Sequence, residues 1–269
     1  MLFQLGWYCG RIEISRPSND KFTNLNGSTQ SVQGLPITKE WIYKASQILN
    51  YKKDHPGEKL PTENSHSVFP YDFEIKSDAC CIMVVEKEGI YLRLSEDRFF
   101  DRVPCIIVTG KGFPDVATRA MVYVLHHTLS IPVFGVCDCN PFGVAVLQTY
   151  QQGGSNGRKE ATDREIYDIP IYWLGLRPSH VEQVKGELPP EVYQELTDLD
   201  KRKIEKLCCQ GSSFRNVKDG EKRVEELIAM RANGYKVELE SLHWLGWQYM
   251  CDWLEAVITE YSEANKEDR

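Results

Sequence analysis

The sequence has nine cysteines but no C-x-x-C pair, the spacing that most zinc and redox sites use. The cysteines are Cys9, Cys80, Cys81, Cys105, Cys137, Cys139, Cys208, Cys209 and Cys251. The adjacent pair Cys80-Cys81 falls in an apolar, strand-like run, where cysteine packs as a small apolar side chain. We therefore expect buried thiols in a reducing compartment rather than a disulfide or zinc framework.

A secretory signal is missing near Met1, and no apolar run approaches the length that spans a bilayer. The G-x-S-x-G elbow of serine hydrolases is absent too. With 42% apolar and 11% aromatic residues, the 269-residue chain can bury one large core or two smaller ones. We expect a soluble, intracellular protein with no membrane partner.

An excess of positive charge is also missing, because 39 Asp and Glu outnumber 32 Lys and Arg and the formal net charge is −7. Binding of polyanions over a whole surface depends on clustered Lys and Arg, so the composition argues against that mode. A local nucleic-acid site remains compatible with this charge if the acidic residues are concentrated at a metal site and in the C-terminal tail. The tail carries Glu260, Glu263, Glu267 and Asp268.

The organisation of the chain changes near residue 70. Before it, only residues 5–14 (LGWYCGRIEI), a strand or hairpin arm, and 37–49 (ITKEWIYKASQIL), a short helix, have an ordered pattern. After it, apolar strands alternate with helices. The predicted strands are 80–86, 105–109, 133–136 and 171–176. The first predicted helix follows the first strand and runs to Phe100, the second has Pro114 in its first turn and runs through 117–129, and the third covers 142–150.

Continuous apolar strands separated by helices indicate a mainly parallel sheet that is covered on both faces. From about Pro189 onward the pattern is helical, and Trp253, Leu254, Val257, Ile258 and Tyr261 form a core-type stripe.

Three of the predicted strands end at or near residues that could take part in ligand binding. Ligands in such sheets lie beyond the carboxyl ends of the strands, where Glu86, Gly110 and Asp138 fall. Glu86 and the sequence Asp138-Cys139-Asn140-Pro141 could supply oxygen ligands to Mg²⁺. The alternative is that D-x-N-P forms an ordinary turn and that Glu86 is solvated.

The segment 110–119 (GKGFPDVATR) could place backbone N–H groups and Lys111 beside a phosphate. The alternative is a plain strand-to-helix turn, in which Asp115 supports the helix dipole and Arg119 pairs on the surface. The segment is neither a G-x-G-x-x-G motif nor a P-loop.

Taken together, three segments resemble the Toprim domain of the family formed by topoisomerase VI A subunits and the meiotic double-strand-break proteins, in its plant-type branch. They are 84–119 (VVEKEGIYLRLSEDRFFDRVPCIIVTGKGFPDVATR), 138–143 (DCNPFG) and 171–180 (IYWLGLRPSH). The resemblance covers roughly residues 75–254. It implies an α/β fold of Toprim type with a helical C-terminal extension.

The resemblance further implies Mg²⁺-assisted transesterification that breaks DNA, in meiotic recombination or DNA topology, inside the nucleus. The family's metal-binding glutamate corresponds to Glu86, and its two aspartates to Asp138 and Asn140. Residues near DNA or its phosphates correspond to Lys87, Lys111, Arg119 and Arg177. The implied partners are DNA, a second A-type subunit in a homodimer or heterodimer, and an ATPase-bearing B-type subunit.

Three departures from the family pattern stand out. Asn140 contributes no charge to a metal, and His180 stands where the family commonly has aspartate. The family's tyrosine nucleophile, in an R-D-x-x-Y-type motif before the Toprim glutamate, has no counterpart here. We therefore expect an N-terminally truncated chain: residues 1–70 as a winged-helix remnant, 71–180 as the Toprim core and 181–269 as its helical part.

Two further hypotheses remain open. The chain could be a non-catalytic module that dimerises with an intact subunit or docks on the B-type partner. It could also be a Toprim nuclease that needs no tyrosine, which would explain the metal residues but neither segment 110–119 nor L-G-L-R-P-S.

Overall fold

The computed structural model describes residues 7–15, 25–26, 35–36, 74–152, 169–209 and 220–264. Two compact units divide the chain. The first unit comprises residues 1–133 and 149–170, and the second comprises 134–148 and 171–269. These boundaries differ from those of the predicted domains, whose assignment stays a prediction. The helix predicted over 37–49 lies outside the described residues.

Two strands at the centre of the first unit run parallel. Cys81 lies opposite Cys105, and the register continues to Val85 opposite Thr109. Every residue of both strands is buried, as expected for a sheet covered on both faces. The strands of this unit are β1 Trp7–Gly10, β2 Glu13–Ser15, β3 Leu25–Asn26, β4 Leu35–Pro36, β5 Glu74–Lys76, β6 Cys81–Val85 and β7 Cys105–Thr109.

The N-terminal strand β1 pairs antiparallel with β7, and β4 pairs with the other side of β1. Strands β3, β2 and β5 form a separate three-stranded antiparallel sheet. The predicted strand at LGWYCGRIEI is therefore confirmed as β1 and β2. The winged-helix origin proposed for this region stays a prediction.

Two helices, α1 Glu88–Glu96 and α2 Phe99–Arg102, fill the connection between β6 and β7. The prediction of one helix up to Phe100 was wrong. Arg98 has a left-handed backbone with φ 51°, which ends helical hydrogen bonding after α1. Leu94 and Phe99 are both fully buried, so the apolar pattern was continuous although the helix was not.

The long helix of the first unit is α3 Val116–Leu129. Pro114 was expected in its first turn, and that expectation was wrong: Asp115 is the N-cap, so Pro114 precedes the helix. The Asp115 carboxylate accepts a hydrogen bond from the Thr118 N–H at 2.7 Å. Acidic caps satisfy first-turn N–H groups in this way, which explains the start of the helix.

In the second unit, strands again lead into helices. Its strands are β8 Val133–Val136, whose first residue belongs to the first unit, β9 Ile171–Gly175, β10 Gln194–Glu195 and β11 Tyr235–Lys236. Its helices are α4 Pro141–Gln152, which ends in the first unit, α5 Pro178–Gln183, α6 Asp198–Cys209, α7 Gly220–Asn233 and α8 Tyr249–Ala264, with 3-10 turns at Pro190–Val192 and Leu239–Leu245.

The C-terminal region is helical as predicted, but β10 and β11 form an antiparallel pair that was not predicted, with Glu195 opposite Tyr235. Of the predicted apolar stripe of α8, Leu254 and Ile258 are buried. Among the described residues, no helix is long and apolar enough to cross a membrane. The mixed architecture, with largely parallel central strands flanked by helices, confirms the predicted fold class.

Gly10 is the residue at which β1 tolerates no side chain. Its φ is +113°, and a Cβ atom there would collide with the carbonyl oxygen of Cys105. We expect Gly10→Ala to lower the free energy of unfolding by about 2 kcal/mol or more, from backbone strain and the collision together. Urea unfolding followed by circular dichroism measures this.

Gly89→Ala is the matched control, because Gly89 lies in α1 with no atom within 4 Å of the added Cβ. That variant should be neutral or slightly more stable, by up to about 0.5 kcal/mol. Equal stability of the two variants would contradict the pairing of β1 with β7.

Candidate functional site

Asp138 is a buried carboxylate of the second unit, two residues beyond the end of β8. It is 2% exposed. Its Oδ1 accepts a hydrogen bond from the Leu239 N–H at 2.9 Å, across 101 residues of sequence. A buried charge is stable only when donors or a cation compensate it. The bond therefore fixes the carboxylate and leaves its other lone pairs for further donors or a metal.

A short segment, residues 235–239, holds the turn that carries Asp138; we call it the 235–239 strap. Val237 exchanges two backbone hydrogen bonds with Cys139, at 2.9 and 3.2 Å. The Lys236 ammonium lies 2.9 Å from the Asp200 carboxylate, whose side chain is 2% exposed. The strap thus joins the turn to the start of α6.

The buried thiol of Cys139 lies in this turn, and its pKa depends on the charges around it. It is 1% exposed, between Asp138 and Asn140. Burial raises the pKa of its thiol, and the negative charges of Glu226 and Asp138 raise that pKa further, Glu226 having the larger effect. The thiol is therefore protonated at neutral pH and a poor nucleophile.

Asn140 caps a helix. Its Oδ1 accepts a hydrogen bond from the Gly143 N–H at 2.7 Å, and Pro141 occupies the first position of α4. This is the turn chemistry that the sequence offered as the alternative to metal binding. The amide oxygen has a second lone pair, so capping and metal coordination are compatible. Coordination by Asn140 stays a prediction.

In the first unit, Glu86 and the glycine turn after β7 meet. The Gly112 N–H donates to the Glu86 backbone oxygen at 2.8 Å. Lys111, with φ 56°, lies in the left-handed region, and its N–H donates to the Thr109 hydroxyl at 3.1 Å. Its ammonium forms an ion pair with Glu88 at 2.8 Å. The parallel register explains why these two strand ends lie at one edge.

The glycine turn packs tightly on Tyr150. A Cβ atom at Gly110 would lie 2.9 Å from the Tyr150 hydroxyl and 2.8 Å from the Pro114 Cα. Burial raises the pKa of Tyr150, and the negative charge of Asp115 raises it further. As the N-cap of α3, Asp115 supports the start of that helix, which was the alternative to phosphate binding by this segment. Arg119, for which a surface ion pair was the alternative, is instead 6% exposed.

Arg177 is the N-cap residue of α5. Its Nη2 donates to the backbone oxygen of Trp173, and the guanidinium lies 5.9 Å from the centre of the Trp173 ring. The side chain therefore contacts the preceding strand, β9. Its contact with DNA stays a prediction, as do the contacts of Lys87, the N-cap residue of α1.

The predicted site residues divide between the two units. Glu86, Lys87, Lys111 and Arg119 belong to the first unit, and Asp138, Asn140 and Arg177 to the second. Within the described ranges, no group of three or more His, Cys, Asp or Glu side chains is arranged to hold a metal ion. Shared coordination by Glu86, Asp138 and Asn140 therefore stays a prediction.

The residues that hold Asp138, its turn and the start of α5 in place were not predicted from the sequence. The Leu239 and Val237 contacts use backbone atoms, so no residue type could have revealed them. Glu226, 7% exposed on α7, accepts hydrogen bonds from the Ser179 N–H at 3.0 Å and the Ser179 hydroxyl at 2.5 Å. Glutamates that recur every few residues along a helix usually lie on its solvated face, so the spacing did not distinguish the buried Glu226 from them.

Comparisons with known proteins agree with the resemblance. The family model for the Toprim domain of topoisomerase 6 A subunits and Spo11 matches residues 81–256. The A3 subunit of DNA topoisomerase 6 from Oryza sativa subsp. indica is 37% identical over 178 residues, which cover 66% of this chain and 38% of that protein. The A subunit of DNA topoisomerase 6 from Arabidopsis thaliana is 36% identical over 191 residues, covering 66% and 40%.

Meiotic recombination protein SPO11-1 of Oryza sativa subsp. indica is 33% identical over 235 residues, which cover 85% of this chain and 59% of that protein. The chain therefore spans between 38% and 59% of the length of these three relatives.

His180 yields a prediction about pH. Burial, with smaller contributions from the charges of Arg177 and Lys222, lowers its pKa from the ordinary 6.5 to about 4. As the pH falls below 6.5, the unfolded chain binds this proton before the folded chain does. The stability that His180 contributes is therefore complete above pH 6.5 and declines between pH 6.5 and 4.

We expect wild type to lose on the order of 2 kcal/mol more than His180→Asn when the pH is lowered from 7 to 4.5. Asn keeps an acceptor near the position of Nδ1 but does not titrate. Urea unfolding at a series of pH values measures the difference, and parallel pH profiles for the two proteins would contradict the burial of a neutral His180.

Proposed function

The chain belongs to the family of topoisomerase 6 A subunits and Spo11, and on that premise we propose that it supplies the Toprim part of a DNA-cleaving transesterase, the part that binds Mg²⁺ and DNA. The observation that carries the proposal is Asp138, a buried carboxylate oriented by the Leu239 N–H. The family's reaction also needs a tyrosine nucleophile. We assign that role to no residue of the Toprim match at 81–256.

The oxygen donors fit Mg²⁺. This ion prefers one or two carboxylates together with water and phosphate oxygens. Asp138 and Glu86 would hold it, and Asn140 could add a neutral oxygen. When bound, Mg²⁺ would neutralise charge that develops on the phosphate during strand transfer.

The protein's own side chains have separate tasks in this proposal. Asp138 is held by the strap, so its carboxylate need not reorganise when a cation arrives. Lys111 lies on the glycine turn beside Glu86, with 13% of its side chain exposed and its ammonium near Glu88. A DNA phosphate would compete with Glu88 for this ammonium. Lys87, Arg119 and Arg177 are the further basic residues proposed near the phosphates.

We also propose that the protein acts in the nucleus, with DNA as substrate. Its proposed partners are a second A-type subunit, in a homodimer or heterodimer, and an ATPase-bearing B-type subunit. The relatives are named as topoisomerase subunits and as a meiotic recombination protein, and these names support both a role in DNA topology and one in recombination.

Metal binding by Asp138 is testable on the 269-residue chain. We expect MgCl₂ to raise the thermal unfolding midpoint of wild type above that in NaCl of equal ionic strength, because a ligand that binds only the folded state stabilises it. Asp138→Asn should lose this response and Glu86→Gln should weaken it. Differential scanning fluorimetry measures the midpoints.

Asp252→Asn is the control, because Asp252 is an exposed carboxylate on α8. It removes the same charge and should respond to Mg²⁺ as wild type does. An identical Mg²⁺ response in Asp138→Asn and Asp252→Asn would contradict the proposed metal site.

Phosphate binding by Lys111 predicts a change in salt dependence. Lys111→Gln should weaken binding to duplexes of any sequence and reduce the slope of log K against log salt by about 1. Fluorescence anisotropy with labelled duplexes in Mg²⁺ measures both quantities.

Lys201→Gln is the control, because Lys201 is exposed on α6 and its loss changes the net charge equally. If both variants have the wild-type salt slope, Lys111 does not contact a phosphate. Mg²⁺-dependent nicking of plain plasmid by the chain alone would favour a tyrosine-independent nuclease instead.

A further inference from the structure

Glu226 is a buried carboxylate that no sequence pattern singles out. It lies on the inward side of α7 and is 7% exposed. Both of its oxygens accept hydrogen bonds from Ser179: Oε2 from the N–H at 3.0 Å, and Oε1 from the hydroxyl at 2.5 Å. Ser179 stands at the start of α5, two residues after Arg177. The carboxylate therefore fixes the segment that carries Arg177.

The start of α5 lies beside the turn of Asp138. The Cys137 N–H donates to the Gly175 backbone oxygen at 2.8 Å, and the Leu176 N–H donates to the Cys137 backbone oxygen at 2.5 Å. Cys137 directly precedes Asp138, and α5 begins two residues after Leu176. The Glu226 carboxylate thus holds a segment that is hydrogen-bonded to the turn of the proposed metal ligand, all within the second unit.

Two buried carboxylates near one turn need compensation. The buried Arg223, one turn earlier on α7, donates through Nη2 to the backbone oxygen of Ile171 on β9. Ser179 supplies neutral donors to Glu226, and Leu239 a neutral donor to Asp138. Like charges in a low-dielectric interior repel, and a divalent cation at Asp138 would convert that repulsion into attraction.

We propose that Glu226 is a positioning residue of the Toprim site: it anchors the start of α5 beside the Asp138 turn, and its charge strengthens Mg²⁺ binding there without coordinating the ion. This inference rests on the proposed function, because it assumes that Asp138 binds Mg²⁺. Outer carboxylates of this kind orient and tune a metal site without being ligands.

The test compares Glu226→Gln with Glu225→Gln in the 269-residue chain. Glutamine keeps the size and an acceptor oxygen but removes the charge. Glu225 is the adjacent residue on α7 and is exposed, so its variant removes the same charge from the surface. The readout is the Mg²⁺ concentration that gives half of the maximal thermal stabilisation, at constant ionic strength, which does not depend on DNA cleavage.

We expect Glu226→Gln to raise this concentration by about tenfold or more, in the range seen for residues behind metal ligands. Glu225→Gln should leave it unchanged. If the two variants have the same Mg²⁺ midpoint while Asp138→Asn abolishes the response, the role of Glu226 is overturned and the proposed function stands. If wild type itself does not respond to Mg²⁺, the proposed function fails and the inference fails with it.

Ser179→Ala keeps the inference testable if Glu226→Gln does not fold. Ser179 is exposed, and its alanine variant removes the hydroxyl donor while Glu226 keeps its charge. We expect this variant to retain the Mg²⁺ midpoint of wild type and to bind duplex DNA more weakly in Mg²⁺, because the start of α5 is less well held. Wild-type affinity for the duplex would overturn the anchoring role.

Discussion

The hydrogen bond from the Leu239 N–H to Asp138 Oδ1 is the constraint on which the proposed site depends. A carboxylate that is 2% exposed cannot remain charged without donors, and here one donor comes from 101 residues further along the chain. The two backbone bonds between Val237 and Cys139 hold that donor in place. The 235–239 strap is therefore part of the proposed site, although none of the proposed metal ligands lies in it.

The sequence predicted the parts of the fold that depend on burial. The strands at 105–109 and 133–136 have the predicted bounds, because a strand buried on both faces needs a continuous apolar run. The break at Arg98 and the pairing of β10 with β11 were not predicted. The first depends on one backbone angle and the second on long-range pairing of exposed residues with half-buried ones, and neither leaves an apolar pattern.

The site was predicted less completely, for a related reason. Residue types that bind metals can be read from a sequence, which selected Glu86, Asp138 and Asn140. The contacts that orient Asp138 come from the backbone of the strap, where any residue supplies an N–H group. Glu226 is concealed differently: on an amphipathic helix, only the fold distinguishes a buried glutamate from a solvated one.

Several residues of the site also have structural roles. Asn140 and Asp115 cap helices, and Arg177 donates to the backbone of the preceding strand, β9. These roles do not compete with function, since a cap fixes the orientation that a ligand or phosphate requires. They do mean that alanine variants would change folding and binding together. Substitutions that preserve shape and remove charge separate the two effects.

The most direct test of the account is to locate a bound divalent cation by NMR. Mn²⁺, a paramagnetic substitute for Mg²⁺, broadens the amide signals of residues close to it. The account predicts that substoichiometric Mn²⁺ broadens the amides of 137–143 and of Leu239 first. Broadening confined to the acidic helix α8, with those amides unchanged, would contradict a metal site at Asp138.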